Sequence, residues 1–199
     1  MNDLLPLNAL RALCLLLGAA LLSACAPAPE DLPRPEPARI AELASAIRAL
    51  DPSVDPEEAA RAARISYMHP LELAMQYGIS DPPVIHNMKV NAGLRPRGLC
   101  WHWAEDMEKR LRAEGFETLD LHRAISQPPM RLEHSTVIIS ARGEGMNDGL
   151  VIDPWRKGGR LYWAPVLGDD PYEWEPRAVV LARRRPEGPM PGDEPHPTF

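Results

Sequence analysis

The spacing of apolar residues changes near the middle of the chain. In the first half they recur every three or four positions, as in the stretch 38–50 with Ile40, Leu43, Ile47 and Leu50. This spacing places them on one face of a helix. In the second half, short runs of β-branched and aromatic residues alternate with turn residues, which is the pattern of consecutive strands. The order of elements predicts an α+β domain in which helices come first and pack against an antiparallel sheet.

Capping and breaking residues set the ends of the next predicted helix. Asp55, Pro56 and Glu58 form a start signal, with Asp55 as the N-cap and Glu58 three residues after it. We expect Pro70 to break this helix, because proline disfavours helical backbone at the residue before it. The stretch 84–98 is expected to be a loop that leads into a further helix.

That further helix is predicted to run from Leu99 to Glu114 and to carry Cys100 at its start. Ala104 and Met107 continue its apolar face at steps of four and three residues. We expect this helix to pack against the sheet. Five strands are predicted after it, in the runs FETLDLHRAI, HSTVIIS, GLVIDPW, GRLYWAPV and RAVVLA.

The N-terminal residues predict where the protein resides. Residues 1–24 hold one arginine, an apolar run and then small residues before Cys25. This layout is that of a signal peptide, and residues 22–25, LSAC, resemble the lipobox of bacterial lipoproteins. The apolar run is too short to span a bilayer, which needs about 20 residues. We therefore expect Cys25 to be acylated, for example with palmitate, and to anchor the protein in the lipid bilayer; an ordinary signal peptide is the alternative.

Alanine at position 26, where aspartate would favour the inner membrane, predicts an outer-membrane lipoprotein that faces the periplasm. Both ends of the expected mature chain are rich in proline. This composition predicts an extended tether at the N-terminal end and a disordered tail at the C-terminal end. The predicted divisions are therefore a signal peptide at 1–24, a tether at 25–37, one domain at 38–183 and a tail at 184–199. Within the domain, residues 38–84 form a helical part and residues 85–183 a core part.

Charge excludes one class of partner. The net charge is −6, and no stripe of lysine and arginine is interleaved with aromatic residues. Such a stripe is the electrostatic signature of nucleic-acid binding. We therefore expect no nucleic acid as a partner.

Cys100 is the residue on which the functional interpretation depends. Cys14 lies in the expected signal peptide and Cys25 is expected to be acylated, so Cys100 has no cysteine partner for an intramolecular disulfide. The thiol is either buried as a small apolar side chain or used as a nucleophile. Its place at a helix start favours the second reading, because the unpaired amides and the helix dipole there stabilise a thiolate.

A nucleophilic cysteine needs a base and a group that orients the base. The candidates for the base are His69, His86, His102, His122, His134 and His196. His102, two residues after Cys100, points to another side of the helix. His134 begins one predicted strand and Asp153 ends the next. If the two strands pair, these side chains lie at the same edge of the sheet, which makes Cys100, His134 and Asp153 a candidate triad.

These motifs resemble those of the transglutaminase-like superfamily, which includes bacterial cysteine proteinases with a papain-related fold. Cys100 lies in GLCWHWA, His134 in EHSTV and Asp153 in VIDPW, and the resemblance covers roughly residues 85–166. It implies that Cys100 is the nucleophile, His134 the general base and acid, and Asp153 its orienting partner. The implied activity is amide hydrolysis or acyl transfer on a protein or peptide substrate through a thioester. Family members often have an aromatic residue shortly after the histidine, and here serine and threonine follow it.

Further candidates surround the expected triad. The backbone N–H of Cys100 and an upstream asparagine, Asn91 or Asn87, are expected to donate hydrogen bonds to the oxyanion. Trp101 and Trp155 are the candidates for contact with substrate, although tryptophans also pack in cores and at rims.

Two other classes of function stay open. The protein could be a catalytically inactive outer-membrane lipoprotein that acts as a binding or assembly module, since a fold does not secure an activity. It could also bind zinc through Cys100 and His102 with a further histidine. The spacings typical of zinc sites are absent, so no metal and no cofactor is expected.

Overall fold

A computed structural model describes residues 32–127, 133–170 and 172–184 of the 199-residue chain. The predicted signal peptide, the acylation site Cys25, the first part of the predicted tether and nearly all of the predicted tail lie outside the described residues. Within the described part of the chain, no helix is both long and apolar enough to cross a membrane.

The described residues form five α-helices and one five-stranded antiparallel sheet. The helices are α1 Pro37–Arg48, α2 Pro56–Tyr77, α3 Pro83–Asn91, α4 Cys100–Arg112 and α5 Arg177–Arg184. The strands are β1 Leu119–Ser126, β2 His134–Ala141, β3 Leu150–Asp153, β4 Tyr162–Pro165 and β5 Glu175–Pro176. They lie in the order β4-β3-β2-β1-β5, and the helices pack against the sheet. The predicted α+β class is confirmed.

Strand β2 is the centre of the fold, because every one of its residues is buried. Alternate side chains of a strand point to opposite faces. Val137 and Ile139 belong to the main apolar core, together with Trp103 and Met107 of α4. Ile138 points to a second, smaller cluster on the other face of the sheet. The helix that begins with Cys100 is thereby packed against the strand that begins with His134.

Helix α2 continues through the position where a break was expected. Pro70 lies inside it and is buried, so the prediction that Pro70 breaks the helix is wrong. Proline inside a helix costs about 3 kcal/mol, and the long buried face of α2 outweighs that cost. The ends follow the sequence signals: the Asp55 carboxylate accepts hydrogen bonds from the first turn, and Gly78 ends the helix with a positive φ of 63°.

Two other predicted elements are also wrong. The stretch 84–98 is not all loop, since helix α3 begins at Pro83 and its one buried side chain is His86. Its apolar residues Val84, Ile85 and Met88 are exposed, so their spacing does not mark a face that packs on the core. The run RAVVLA lies in helix α5, in which Val180 is the buried residue. A short apolar run does not distinguish a strand from a helix, and the fifth strand is instead the two-residue β5.

The buried carboxylate of Glu58 connects the start of α2 to the segment before β1. It accepts hydrogen bonds from the backbone N–H of Glu117 at 2.7 Å, and from the backbone N–H and hydroxyl of Thr118 at 2.8 and 2.6 Å. The Thr118 hydroxyl in turn accepts from the backbone N–H of Asp55 at 3.0 Å. Burial by itself raises the pKa of Glu58, but the bonds to Thr118 and Glu117 outweigh it and hold the pKa below its ordinary value.

We expect Glu58→Gln to lower the free energy of unfolding by about 1–3 kcal/mol, because a buried charge-assisted hydrogen-bond set is lost. The stability that the Glu58 carboxylate contributes is complete above the pKa that Glu58 has in the unfolded chain. It is lost as the pH falls through the lower pKa of Glu58 in the folded state. The difference between wild type and variant, measured by urea unfolding, should therefore shrink below about pH 4. Glu57→Gln, at the exposed neighbour, is the control, and an equal loss in both variants would contradict the assignment.

Candidate active site

Cys100 is the first residue of α4, and Leu99 is the N-cap of that helix. The N–H groups of a first helical turn have no carbonyl partner within the helix. The thiol is half-buried and forms no disulfide with a described residue, and its Sγ lies 3.8 Å from the carbonyl oxygen of Glu133. Because Glu133 immediately precedes His134, this contact places the thiol beside the start of β2.

The turn before Cys100 is held by three side chains. His102 Nδ1 accepts hydrogen bonds from the backbone N–H of Gly98 and of the next residue, at 3.1 and 3.2 Å. The indole N–H of Trp103 donates to the Gly98 carbonyl at 3.1 Å. Gly98 has a φ of +126°, and a Cβ there would lie 2.4 Å from the ring of His86. Only glycine fits this position, and the turn fixes where the helix and its first residue begin.

His134 and Asp153 form a buried pair. The Nε2 atom of His134 donates to Oδ2 of Asp153 at 2.5 Å, and each side chain is 1% exposed. Strands β2 and β3 pair antiparallel, with Val137 opposite Ile152, so the predicted pairing of these strands is confirmed. That register brings the first residue of β2 and the last residue of β3 to the same end of the two paired strands.

Arg156 holds the carboxylate of Asp153 from a second direction. Its Nε donates to Asp153 Oδ2 at 2.6 Å, and its two terminal nitrogens donate to the two oxygens of the buried Asp169, one of them at 2.7 Å. The guanidinium also lies 4.2 Å from the ring centre of Tyr162 and 4.3 Å from that of Tyr172. These contacts fix the orientation of the carboxylate that faces His134.

Three aromatic rings surround the imidazole of His134. The ring centres of Trp155, Tyr172 and Trp174 lie 4.7, 5.0 and 5.5 Å from it. The indole N–H of Trp155 donates to Oδ1 of Asn87 at 3.1 Å. Apolar rings on several sides lower the local dielectric, which strengthens the interaction between His134 and its charged partners.

The charges of the pair follow from these surroundings. Burial lowers the pKa of His134, but the Asp153 carboxylate and Cys100 act in the opposite direction and raise the pKa to about 9. Burial raises the pKa of Asp153, and His134 with Arg156 holds it below its ordinary value. The imidazole is therefore charged at neutral pH. Because Nε2 is bonded to Asp153, and Nδ1 has no hydrogen-bond partner among the described residues, Nδ1 is the nitrogen left to exchange a proton with Cys100.

The other candidate residues differ in whether they contact the group of side chains around His134. Asn87 is half-buried on α3 and contacts Trp155, whereas Asn91 is exposed at the end of the same helix. Trp101 is 46% exposed, and its ring centre lies 3.8 Å from that of His102. The structure therefore brings Asn87 and Trp155 to the His134 pair and shows no contact that does so for Asn91.

The remaining histidines near the core have other partners. His86 Nε2 lies 2.9 Å from the carbonyl oxygen of Arg97, and His122 Nε2 lies 2.8 Å from the hydroxyl of Ser140. Within residues 32–127, 133–170 and 172–184, no group of three or more His, Cys, Asp or Glu side chains is arranged to hold a metal ion.

Sequence reasoning missed the residues that support the pair. Arg156, Asp169 and Tyr172 were not among the candidates, although Arg156 follows Asp153 by three residues in the same tight turn. A charged residue of opposite sign at that spacing is the signal that could have found it. Asp169 had no such signal, because it meets Arg156 only through tertiary folding.

The fold and the site define an α+β protein in which a thiol at a helix start lies beside a buried, charged His–Asp pair. No family model, curated protein or solved structure matches the chain.

We expect Asp153→Asn to lower the pKa of His134 from about 9, because burial is then opposed by Cys100 alone. The stability that charged His134 contributes is present below the unfolded pKa and is lost as the pH rises through about 9. NMR titration of the imidazole C–H signals measures the pKa. Asp148→Asn, at an exposed carboxylate, is the control. A pKa that stays near 9 in the folded Asp153→Asn protein would refute this electrostatic account.

Proposed function

We propose that the protein is a thiol-dependent hydrolase or acyltransferase that acts on amide bonds of a protein or peptide substrate. One observation carries the proposal: buried His134 is bonded to Asp153 at 2.5 Å through one ring nitrogen, while the other is left for the thiol of Cys100. A nucleophile, a base and an orienting carboxylate are the three parts that cysteine-dependent acyl transfer requires.

The first half of the reaction forms a thioester. The Cys100 thiolate attacks the carbonyl carbon, and the electron pair of the C=O bond moves to the oxygen to give a tetrahedral oxyanion. When the oxyanion collapses, the C–N bond breaks and His134 gives its proton to the leaving amine. Asp153 keeps the imidazole oriented and stabilises its charge.

The second half releases the acyl group. Water, or a primary amine in the case of acyl transfer, attacks the thioester carbonyl and gives a proton to His134. The C–S bond then breaks and the Cys100 thiolate is restored. Exclusion of bulk water by Trp155 and Trp174, whose rings face the imidazole, supports proton transfer to the reacting groups rather than to solvent.

Asn87 is the better supported donor to the oxyanion. Its Oδ1 accepts a hydrogen bond from Trp155, and the ring of Trp155 packs on His134. This contact orients the amide, and its NH₂ group donates to no described residue, so it is available to the oxyanion. The second donor is the backbone N–H of Cys100, which at the start of α4 has no intrahelical acceptor.

The proposal places this activity in the cell envelope. Acylated Cys25 would anchor the domain to the outer membrane, with the substrate in the periplasm. The sequence motifs support membership of the transglutaminase-like superfamily, which is part of the same proposal.

We expect His134 to accelerate the alkylation of Cys100 by iodoacetamide, because a nucleophilic cysteine is activated by the base beside it. The rate is followed by intact-mass spectrometry at pH 6.5. His134→Ala should slow alkylation at pH 6.5 by about tenfold or more, and His69→Ala, whose imidazole contacts Glu72, should not. An equal rate in wild type and His134→Ala would favour the binding or assembly module instead.

We expect Asn87→Asp to lower the rate of thiol acylation by p-nitrophenyl acetate by about 10²–10³, the usual cost of one oxyanion donor. The aspartate keeps the oxygen that accepts from Trp155 and removes the NH₂ donor. Asn91→Asp is the matched control, and Cys100→Ala sets the background. Equal rates in Asn87→Asp and Asn91→Asp would remove Asn87 from the oxyanion site.

A further inference from the structure

A cavity of about 430 Å³ lies between the segment that precedes α1, the middle of α2 and the turn after β3. Its volume is in the range of small-molecule sites, about 300–1,000 Å³. Its charged and aromatic lining residues are Arg34, Glu36, Arg39, Tyr67, Lys157 and Arg160. None of them belongs to the cluster around His134.

The lining of this cavity is strongly basic in a chain whose net charge is −6. Two arginines come from the segment before α1 and from α1 itself, and Lys157 and Arg160 come from the turn after β3. None of these four cations forms an ion pair or a side-chain hydrogen bond with a described residue, whereas most other arginines of the described ranges are paired with carboxylates. The four cations outnumber the single carboxylate of the lining, Glu36, so the cavity carries a net positive charge that attracts an anion.

Tyr67 adds a polar group at the cavity wall. It is 8% exposed, and its hydroxyl oxygen accepts a hydrogen bond from the indole N–H of Trp163 at 3.2 Å. The hydroxyl hydrogen has no acceptor among the described residues. A tyrosine that is fixed by one bond and keeps its proton available is a suitable neutral donor to an anionic oxygen.

We propose that this cavity binds the phosphate group of an anionic ligand. Phosphate offers several oxygens and up to two charges, which matches four cations better than a single carboxylate does, and the guanidinium fork pairs with it through two parallel hydrogen bonds. The ligand is either a free phosphate or the headgroup of an anionic phospholipid. The proposal concerns a second site and does not depend on the chemistry of Cys100.

The test is calorimetric titration of the full-length chain with inorganic phosphate at low ionic strength. The variant is Arg39→Gln with Lys157→Gln, which removes two cavity charges. The control is Arg177→Gln with Lys109→Gln, a pair of exposed and unpaired cations elsewhere that changes the net charge equally. We expect phosphate affinity to fall by about tenfold or more in the cavity variant and to stay within about twofold in the control.

A second arm distinguishes the two sources of phosphate. The full-length chain with Cys25→Ala is sedimented with vesicles of phosphatidylcholine alone or with added phosphatidylglycerol. A lipid headgroup is supported if the chain binds anionic vesicles more than neutral ones, and if the cavity variant loses this extra binding while the control keeps it. A free phosphate is supported if inorganic phosphate binds and the extra binding to anionic vesicles is absent. Binding in neither arm, or an equal loss in both double variants, would overturn the proposal.

Discussion

The buried ion pair between His134 and Asp153 is the interaction on which the rest of the site depends. A single charge in such surroundings costs several kcal/mol, and a pair is tolerated only where further partners complete it. Arg156 and Asp169 supply them, so that charges of opposite sign alternate from His134 to Asp169. Removing Asp153 would leave the buried charge of His134 without its carboxylate partner, at a cost of about 3–5 kcal/mol. The ion pairs that orient the His134 ring therefore also stabilise this end of the sheet.

Much of this arrangement could be predicted because its parts lie at the ends of regular elements. Cys100 starts a helix with clear amphipathic spacing, and His134 and Asp153 bound two neighbouring strand patterns. Antiparallel pairing of consecutive strands then fixes which edge the two residues share. Local signals at Asp55 and Gly78 were equally readable, since caps act within one turn of the backbone.

The parts that could not be predicted depend on contacts between residues far apart in the chain. Pro70 stays helical because α2 is buried along its length, and burial is not visible in the local sequence. Most apolar residues of helix α3 are exposed and mark no buried face, so the environment of Asn87 was known only from the structure. Glu58 reads as a capping-box residue, yet its carboxylate is bonded to Thr118, 60 residues away. In each case a tertiary contact outweighs a local preference.

The turn after β3 connects the two sites of the molecule. Its three helical residues, Trp155–Lys157, have separate roles: the first packs on His134, the second binds Asp153, and the third lines the basic cavity. The turn is closed by a hydrogen bond from Gly159 to the carbonyl of Pro154 at 3.0 Å, so the three residues share one closed stretch of backbone. A shift of the backbone at Lys157 would therefore also act on the ring over His134 and on the guanidinium that holds Asp153.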